Sequence, residues 1–250
     1  MLKKILFILY LNNFFRLCVY SLKLISFFKK NYKDQIFFYN FFKKKNKKID
    51  KSILEICYRP KIFILKFKNN RMKIIDRISR YENLNIKNEF SNHGHKKVFQ
   101  STHDLNDHKD FKSFAKKLEN YINKYISSHL SFKKFNLVKM WFVITKNSGL
   151  IKKHSHLHSD FSGVYYLKVD QKQKKSSGIK IFNNLPPISI YEYDEKNKNF
   201  GVYETSKKII TIQPKLDTLI IFNSYLEHGV NNKESKIADR ISLPFDLNFK

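Results

Sequence analysis

The 250-residue sequence is poor in cysteine and, for so basic a chain, in arginine. The two cysteines, Cys18 and Cys57, cannot build a disulfide framework, and they lack the C-x-x-C spacing of a metal or redox site. Only six of the 49 basic residues are arginine, so the net charge of +28 comes mainly from lysine. Because bidentate recognition of phosphates and bases favours arginine, the composition argues against a nucleic-acid partner.

The amino-terminal third also lacks an uninterrupted hydrophobic run long enough to span a membrane. Arg16 and Lys23 break the apolar residues of segment 1–30, and no small-residue cleavage site of a signal peptide follows. We therefore predict a cytoplasmic protein. Two interpretations of the segment stay open. It is either a basic helix that lies weakly on an anionic membrane surface, as in a peripheral membrane protein, or a disordered extension, including mistranslated sequence ahead of a start at Met72.

Charge divides the chain into two parts. Residues 1–97 carry a net charge of +18 and residues 98–250 one of +10, and the lysine run at 43–51 indicates a solvated linker. With 42% hydrophobic and 16% aromatic residues, the chain can build a substantial core. We predict an extension over 1–71, a leading segment over 72–97 and a folded domain over the rest. Deletion of the extension is then expected to leave ligand binding intact.

The folded domain is predicted to be mainly β with flanking helices. Apolar residues at three- and four-residue spacing predict an amphipathic helix over 104–130. Beyond residue 135, short β-rich runs separated by turn residues indicate a sandwich or a closed barrel. The predicted strands are 137–145, 163–169, 178–182, 207–212, 217–222 and 240–247. The stretch 183–206 is predicted to be an irregular insertion with a hairpin of its own, of the kind that serves as a lid or substrate loop.

Histidines cluster in the segment GLIKKHSHLHSDFSGVYYL, residues 149–167. His154, His156 and His158 alternate with other residues and Asp160 is next in phase, so an extended chain places all four on one face. Imidazoles and a carboxylate on one face are ligands for Fe, Mn, Zn or Cu. The alternative interpretation is a histidine-rich turn without a metal.

A second group of polar residues follows downstream. His228 lies just past a predicted strand, and Arg240 and Ser242 open the last one. Arginine can hold a dicarboxylate by a bidentate, charge-assisted pair, with a hydroxyl beside it. An early histidine cluster, a late histidine and Arg-x-Ser form the combination that a non-haem Fe(II) oxygenase with an oxo-acid cosubstrate requires. The simpler interpretation of Arg240 is a surface ion pair with Asp239 or Glu234.

These segments resemble the 2-oxoglutarate/Fe(II) dioxygenases of bacteria and phages. The resemblance runs from about Val98 to Phe249, begins with VFQSTHDLND, and is most specific in HSHLHSDFSGVYYLKV, DTLIIFNSYLEHGV and RISLPFDL. It implies a double-stranded β-helix, which is a jelly-roll or cupin-like fold, with Fe(II) as cofactor and 2-oxoglutarate and O2 as cosubstrates. It also implies hydroxylation of an unknown substrate with release of succinate and CO2, and no catalytic side chain beyond the metal centre.

The resemblance implies the metal ligands His154, His156 and His228. If the H-x-D motif from His158 to Asp160 held the metal, the connection to the next strand would be too short. The preceding H-x-H motif leaves five residues for this connection and resembles the family's own H-x-H position. Three imidazoles omit the carboxylate of the usual facial triad. Asp160 is the alternative, either as a carboxylate ligand from the loop or as a hydrogen-bond partner of a histidine.

A resemblance to prolyl hydroxylases implies that Tyr166 helps Arg240 and Ser242 to bind the distal carboxylate of 2-oxoglutarate. The alternative role of Tyr166 is that of an inward-facing core aromatic. For Trp141, filling the core is the expected role, and lining the cosubstrate pocket is the alternative.

Three residues depart from the pattern of the family that the sequence resembles. Phe142 stands where an asparagine is usual, Asp217 stands where a glycine usually precedes the strand, and Asp246 stands where the closing strand usually has asparagine. We expect Phe142 and Asp246 to alter the pocket and Asp217 to alter a turn.

Two other functions fit the same residues. A cupin-like dioxygenase with three histidine ligands would act without 2-oxoglutarate and would make Arg240 dispensable. A non-catalytic β-helix protein would bind metal without turnover.

Overall fold

A computed structural model describes residues 60–85, 96–130, 134–169, 178–183, 187–231 and 240–250. The predictions for segment 1–30 and for the lysine run lie outside the described residues. Within these ranges, no helix is both long and apolar enough to cross a membrane. The helices are α1 (Arg71–Asn85) and α2 (Lys112–Ile126), the latter followed by a short 3-10 helix, Ser127–His129. The strands are β1 (Lys61–Lys66), β2 (Lys96–Gln100), β3 (Phe135–Met140), β4 (Val143–His154), β5 (Phe161–Lys168), β6 (Ile179–Phe182), β7 (Ile188–Asp194), β8 (Asn199–Thr205), β9 (Ile209–Ile212), β10 (Thr218–Asn223), β11 (Glu227–Asn231) and β12 (Arg240–Phe249).

The strands form one hydrogen-bonded path that folds into two layers. The order along the path is β8, β7, β1, β10, β5, β12, β4, β11, β6 and β9, with β2 on β4 and β3 on β12. Along this path, β8, β7, β1, β10 and β5 form the first layer, and β4, β11, β6 and β9 form the second. The long strand β12 joins the two layers, because its first residues pair with β4 while its later residues pair with β5 and β3. This strand therefore reaches both walls of the space between the layers.

Alternation along the central strands creates two cores. On β5, Val164 and Tyr166 face the space between the layers, while Tyr165 and Leu167 face the opposite side. The inner core joins isoleucines from both layers, and the outer core packs the first layer against α1 and α2. Strands buried on both faces are expected to be almost wholly apolar, as the run TLIIF of β10 is.

Strand β1 is an inner member of the first layer, which corrects the predicted domain boundary. It pairs antiparallel with β10 and parallel with β7, and Ile62, Phe63 and Leu65 are buried. The backbone N–H of Lys61 also donates to the side chain of Asn223 at 2.6 Å. Residues 61–66, predicted to lie in the extension, are part of the folded unit because their apolar side chains fill both cores.

Helix α2 is shorter than the predicted helix over 104–130. Residues 103–105 pair with the end of β3 instead, since Met140 N–H donates to His103 and Leu105 N–H donates to Met140. The predicted strand 137–145 is likewise divided into β3 and β4, because these strands pair with different halves of β12. The hairpin predicted within 183–206 is present as β7 and β8.

Asp217 occupies the turn before β10 with a φ of 60°, a conformation that suits glycine. Its carboxylate accepts a hydrogen bond from the Tyr165 hydroxyl at 3.0 Å and pairs with Arg71 Nε at 2.8 Å. Burial, together with this carboxylate, raises the pKa of Tyr165 well above its ordinary value, so the phenol keeps its proton. The expectation that Asp217 alters a turn agrees with this geometry.

We expect Asp217→Ala to lower the free energy of unfolding by about 2 kcal/mol, since it removes a charge-assisted hydrogen bond and keeps the left-handed backbone. Asp217→Gly should cost about 1 kcal/mol less, because glycine relieves the backbone strain. Urea denaturation followed by circular dichroism measures both. If the glycine variant were less stable than the alanine variant, this account of the turn would be wrong.

Candidate metal centre and cosubstrate cavity

Three of the predicted histidines converge where β4 ends. His154 is the last residue of β4 and lies directly opposite His228 of β11, while His156 follows two residues later. One ring nitrogen from each of the three lies within 4.8 Å of the others. The loop that carries His156 is held in place because His156 N–H donates to Ser224, in the turn before β11, at 2.9 Å. Strand pairing and this loop contact together assemble the cluster.

Hydrogen bonds orient all three imidazole rings in the same way. The Nδ1 atom of His154 bonds to the carbonyl of Lys152 at 2.8 Å, and that of His228 bonds to the carbonyl of Leu226 at 3.1 Å. The Nδ1 atom of His156 bonds to Asp246 Oδ1 at 2.7 Å. Because the acceptors are oxygens, each Nδ1 donates, and in the neutral form of each ring Nε2 therefore presents a lone pair. Three such Nε2 donors suit a divalent transition metal.

The protonation state of His228 also fits metal binding. Its side chain is buried, and burial lowers its pKa well below the ordinary value, with a further lowering by the nearby His154 and His156. The ring is therefore neutral near pH 7, which is the form that binds metals.

His158 and Asp160 lie outside this cluster. His158 is exposed, and the Asp160 carboxylate accepts the backbone N–H of Phe249 at 2.9 Å, at the end of β12. The Asp160 carboxylate is not part of the three-histidine group, so its alternative role as a ligand or as a histidine partner stays a prediction. Strand β5 begins at Phe161, directly after Asp160, which agrees with the choice of the H-x-H motif on the length of the connection.

The histidines share one cavity of about 620 Å³ with the predicted cosubstrate residues. Tyr166, Arg240 and Ser242 all line it, and Ser242 lies opposite Tyr166 in the pairing of β12 with β5. Arg240 is buried at 4% exposure, and its guanidinium donates to Thr145 Oγ1 at 3.2 Å. Arg240 is therefore not a surface side chain, and Asp239 and Glu234, its candidate ion-pair partners, lie outside the described residues.

The cavity places a cation beside a neutral hydroxyl. Burial raises the pKa of Tyr166 although the nearby Arg240 counteracts it, so the phenol stays protonated and can donate a hydrogen bond. Burial lowers the pKa of Arg240, but arginine remains charged in proteins. A carboxylate is the complement of such a group.

Phe142 and Asp246, two of the three departures from the family pattern, lie in different parts of the fold. Phe142 is buried in the outer core and stacks on Phe99, with ring centroids 5.7 Å apart, so the expectation that it alters the pocket is wrong. Asp246 lines the cavity, and its carboxylate accepts hydrogen bonds from His156 and, at 2.7 Å, from Ser162. Burial raises the pKa of Asp246, but those two hydrogen bonds and the nearby charges outweigh it, so the pKa lies below its ordinary value.

Other cavity residues were given a different role or none in the sequence analysis. Trp141 was expected to fill the core, but it also lines the cavity, where its ring lies 5.7 Å from that of His156. Gln100 and His103 line the same cavity, and a hydrogen bond joins their side chains. Both belong to VFQSTHDLND, the segment at which the family resemblance begins. The resemblance did not indicate that Gln100 and His103 line the cavity.

The fold is a double-stranded β-helix, and one cavity in it joins three histidines that could hold a metal ion to a buried arginine. A family model described as "Putative 2OG-Fe(II) oxygenase" matches residues 139–246, which contain the histidine cluster and the cosubstrate residues. The match confirms the predicted similarity to this family and its enzyme class over residues 139–246, somewhat less than half of the chain. Members of this family use Fe(II), 2-oxoglutarate and O2, as the sequence predicted.

Solved structures confirm the fold. HygX from Streptomyces hygroscopicus with nickel and 2-oxoglutarate bound superposes with a TM-score of 0.51 at 11% identity, over 81% of this chain and 88% of that one. SnoN, an alpha ketoglutarate dependent epimerase from nogalamycin biosynthesis, superposes with a TM-score of 0.50 at 10% identity, over 76% of this chain and 79% of that one. A search of curated proteins found no match. At these identities the similarity establishes the double-stranded β-helix and no more.

Proposed function

We propose that this chain is a 2-oxoglutarate-dependent hydroxylase in which His154, His156 and His228 hold Fe(II). When bound, the metal with 2-oxoglutarate and O2 supplies the oxidising chemistry: one oxygen atom enters the substrate as a hydroxyl, and the other enters succinate as CO2 is released. The three histidines would hold the metal and would leave coordination positions open for the cosubstrates. The neutral Nε2 donors described above are the feature that fits this metal.

Arg240 and Ser242 are proposed to bind the distal carboxylate of 2-oxoglutarate, with Tyr166 as a further donor. The Arg240 guanidinium provides the charge, and the two hydroxyls provide neutral hydrogen bonds beside it. The walls of the cavity are largely apolar, so they exclude water from the reacting atoms and strengthen these contacts. The prime substrate is proposed to occupy the remaining space, which Gln100, His103 and Lys139 line.

One observation carries this proposal: a buried arginine and three oriented imidazoles line the same cavity. A cupin-like thiol dioxygenase would need the imidazoles alone, and a surface arginine would serve it equally well. The buried guanidinium carries a positive charge on the wall of the cavity, and a carboxylate is complementary to such a group. The cytoplasmic location, the absence of a nucleic-acid partner and the membrane contact through residues 1–30 stay predictions.

The test compares 2-oxoglutarate with 2-oxovalerate, which has the same chain length and keto acid but lacks the distal carboxylate. Each is titrated anaerobically into the Fe(II) protein while the visible charge-transfer band of the chelate is recorded. We expect wild type to prefer 2-oxoglutarate by about 2 to 5 kcal/mol, the usual effect of a buried charged pair. Arg240→Met should reduce this preference to a few-fold while 2-oxovalerate binds as before.

Three outcomes separate the candidate functions. A band that depends on Arg240, followed by O2-dependent succinate formation, supports the hydroxylase. Equal binding of both oxo-acids in wild type would contradict the assignment of Arg240 and favour the cupin-like alternative. Iron binding with a band but no succinate, in the presence of candidate substrates or without them, would favour the non-catalytic protein.

A further inference from the structure

The proposed ligand set lacks a negative charge that a carboxylate ligand would bring. Three neutral imidazoles leave the charge of a divalent cation uncompensated, whereas the usual facial triad contributes one carboxylate. Asp246 brings a carboxylate to one of the three histidines, because its Oδ1 lies 2.7 Å from His156 Nδ1. Asp246 is 7% exposed and lies on β12. Its charge is thus separated from the metal position by one imidazole ring.

We infer that Asp246 is a positioning residue that holds the ring of His156 for metal binding and supplies the missing negative charge through it. This inference rests on the proposed function, because it requires a metal at the three histidines. A carboxylate that accepts the second N–H of a ligand histidine fixes the ring and makes the coordinating nitrogen more basic.

His156 depends on such a partner more than the other two histidines do. His154 and His228 belong to paired strands, and each Nδ1 donates to a carbonyl two residues earlier in its own chain segment. His156 lies beyond the end of β4, and its Nδ1 partner is the side chain of a residue 90 positions away. The orientation of its ring is therefore set by tertiary structure, not by its own strand.

Asp246 itself is held by its neighbours on the sheet. It lies opposite Ser162 in the pairing of β12 with β5, and the Ser162 hydroxyl donates to the same Oδ1 that accepts from His156. Gly163, the next residue on β5, lets the ring of Phe245 approach, because a Cβ there would lie 2.2 Å from that ring. The sequence Ser-Gly on β5 thus allows β12 to place Asp246 beside His156.

The test uses Asp246→Asn, Asp246→Leu and the matched control Asp160→Asn. Asparagine keeps the size of the side chain and an oxygen that can accept a hydrogen bond from His156, but it removes the charge. Leucine removes both the charge and the hydrogen-bond acceptor. Asp160 also bonds to β12, through Phe249 N–H, and is not a member of the three-histidine group. We expect Co(II) affinity, measured by competition with a chelator, to fall about 10-fold in Asp246→Asn and about 100-fold in Asp246→Leu. Asp160→Asn should bind Co(II) like wild type.

A second measurement separates charge from packing. Without the carboxylate, Fe(II) is less electron-rich, so the charge-transfer band of the 2-oxoglutarate complex should move to shorter wavelength in Asp246→Asn. A role in packing alone would leave the band in place. Thermal unfolding of the metal-free proteins reports whether each variant folds. If the leucine variant does not fold, the asparagine variant alone still tests the inference.

The outcomes distinguish this inference from the proposed function. Weaker Co(II) binding and a shifted band in the Asp246 variants, with Asp160→Asn unchanged, support it. If wild type binds Co(II) through His228 and Asp246→Asn binds it equally well with an unmoved band, the inference is overturned and the metal site stands. If wild type binds no Co(II), the proposed function fails and the inference fails with it.

Discussion

Replacing His228 by alanine is expected to abolish stable Fe(II) binding and all 2-oxoglutarate turnover. His228 is one of the three proposed donors, it is buried, and it lies directly opposite His154 in the strand pairing, so its loss would leave only two of the proposed ligands. Loss of a partner that only supports a ligand costs 10- to 100-fold in metal affinity, so loss of a ligand should cost at least about 100-fold. Anaerobic equilibrium dialysis with iron analysis measures the effect.

His158→Ala is the matched control for this experiment. His158 belongs to the same histidine-rich segment but is exposed and outside the cluster. Its replacement should leave Fe(II) affinity within a few-fold of wild type. If His158→Ala lost iron while His228→Ala retained it, the cluster seen in the structure would not be the metal site.

A chain that begins at residue 72 is expected not to fold, whereas a chain that begins at residue 60 keeps β1. The shorter chain loses Ile62, Phe63 and Leu65, each at most 2% exposed, and at about 1.5 to 3 kcal/mol per buried side chain the loss is about 6 kcal/mol. That equals much of the stability of an ordinary domain. It also loses Arg71, the partner of Asp217. This result would replace the expectation that deletion of residues 1–71 is harmless.

The two truncations are best compared with each other. Both chains lack residues 1–59, so any effect of these residues is common to both. The difference in stability between the two chains therefore measures the contribution of β1 and its connection to α1. Cooperative urea unfolding, followed by near- and far-UV circular dichroism, is the measurement. Equal midpoints for the two chains would show that β1 is not needed and would restore the boundary predicted from the sequence.

Local patterns predicted the strands of the second half well because each is a short apolar run between turn residues. The runs at 163–169 and 217–222 correspond to β5 and β10 within two residues. Strand β1 was missed for a physical reason. The segment KIFILK has the same apolar character, but it follows a lysine-rich stretch, and nothing local shows that it inserts between β10 and β7.

The same distinction applies at the site. Histidine, arginine and serine at the observed spacing indicated the chemistry, since few other residue types bind a transition metal and a dicarboxylate. The sequence offered Asp160 as the nearby carboxylate because it is close along the chain. The structure turns Asp160 toward Phe249 and brings Asp246 to His156.

By itself, the sequence indicated a mainly β fold, a histidine-rich segment as the candidate metal site, and the place of Arg240 and Ser242 on the closing strand; the choice of three histidines within the site came from the family resemblance. Those features depend on residue type and on short spacings, which a linear chain displays directly. Only the tertiary structure decided that β1 completes the first layer, that Gln100 and His103 line the cavity, and that Asp246 is the carboxylate behind the cluster. These contacts join residues far apart in sequence through strand register, and register is set by the packing of whole strands against one another, not by any local pattern.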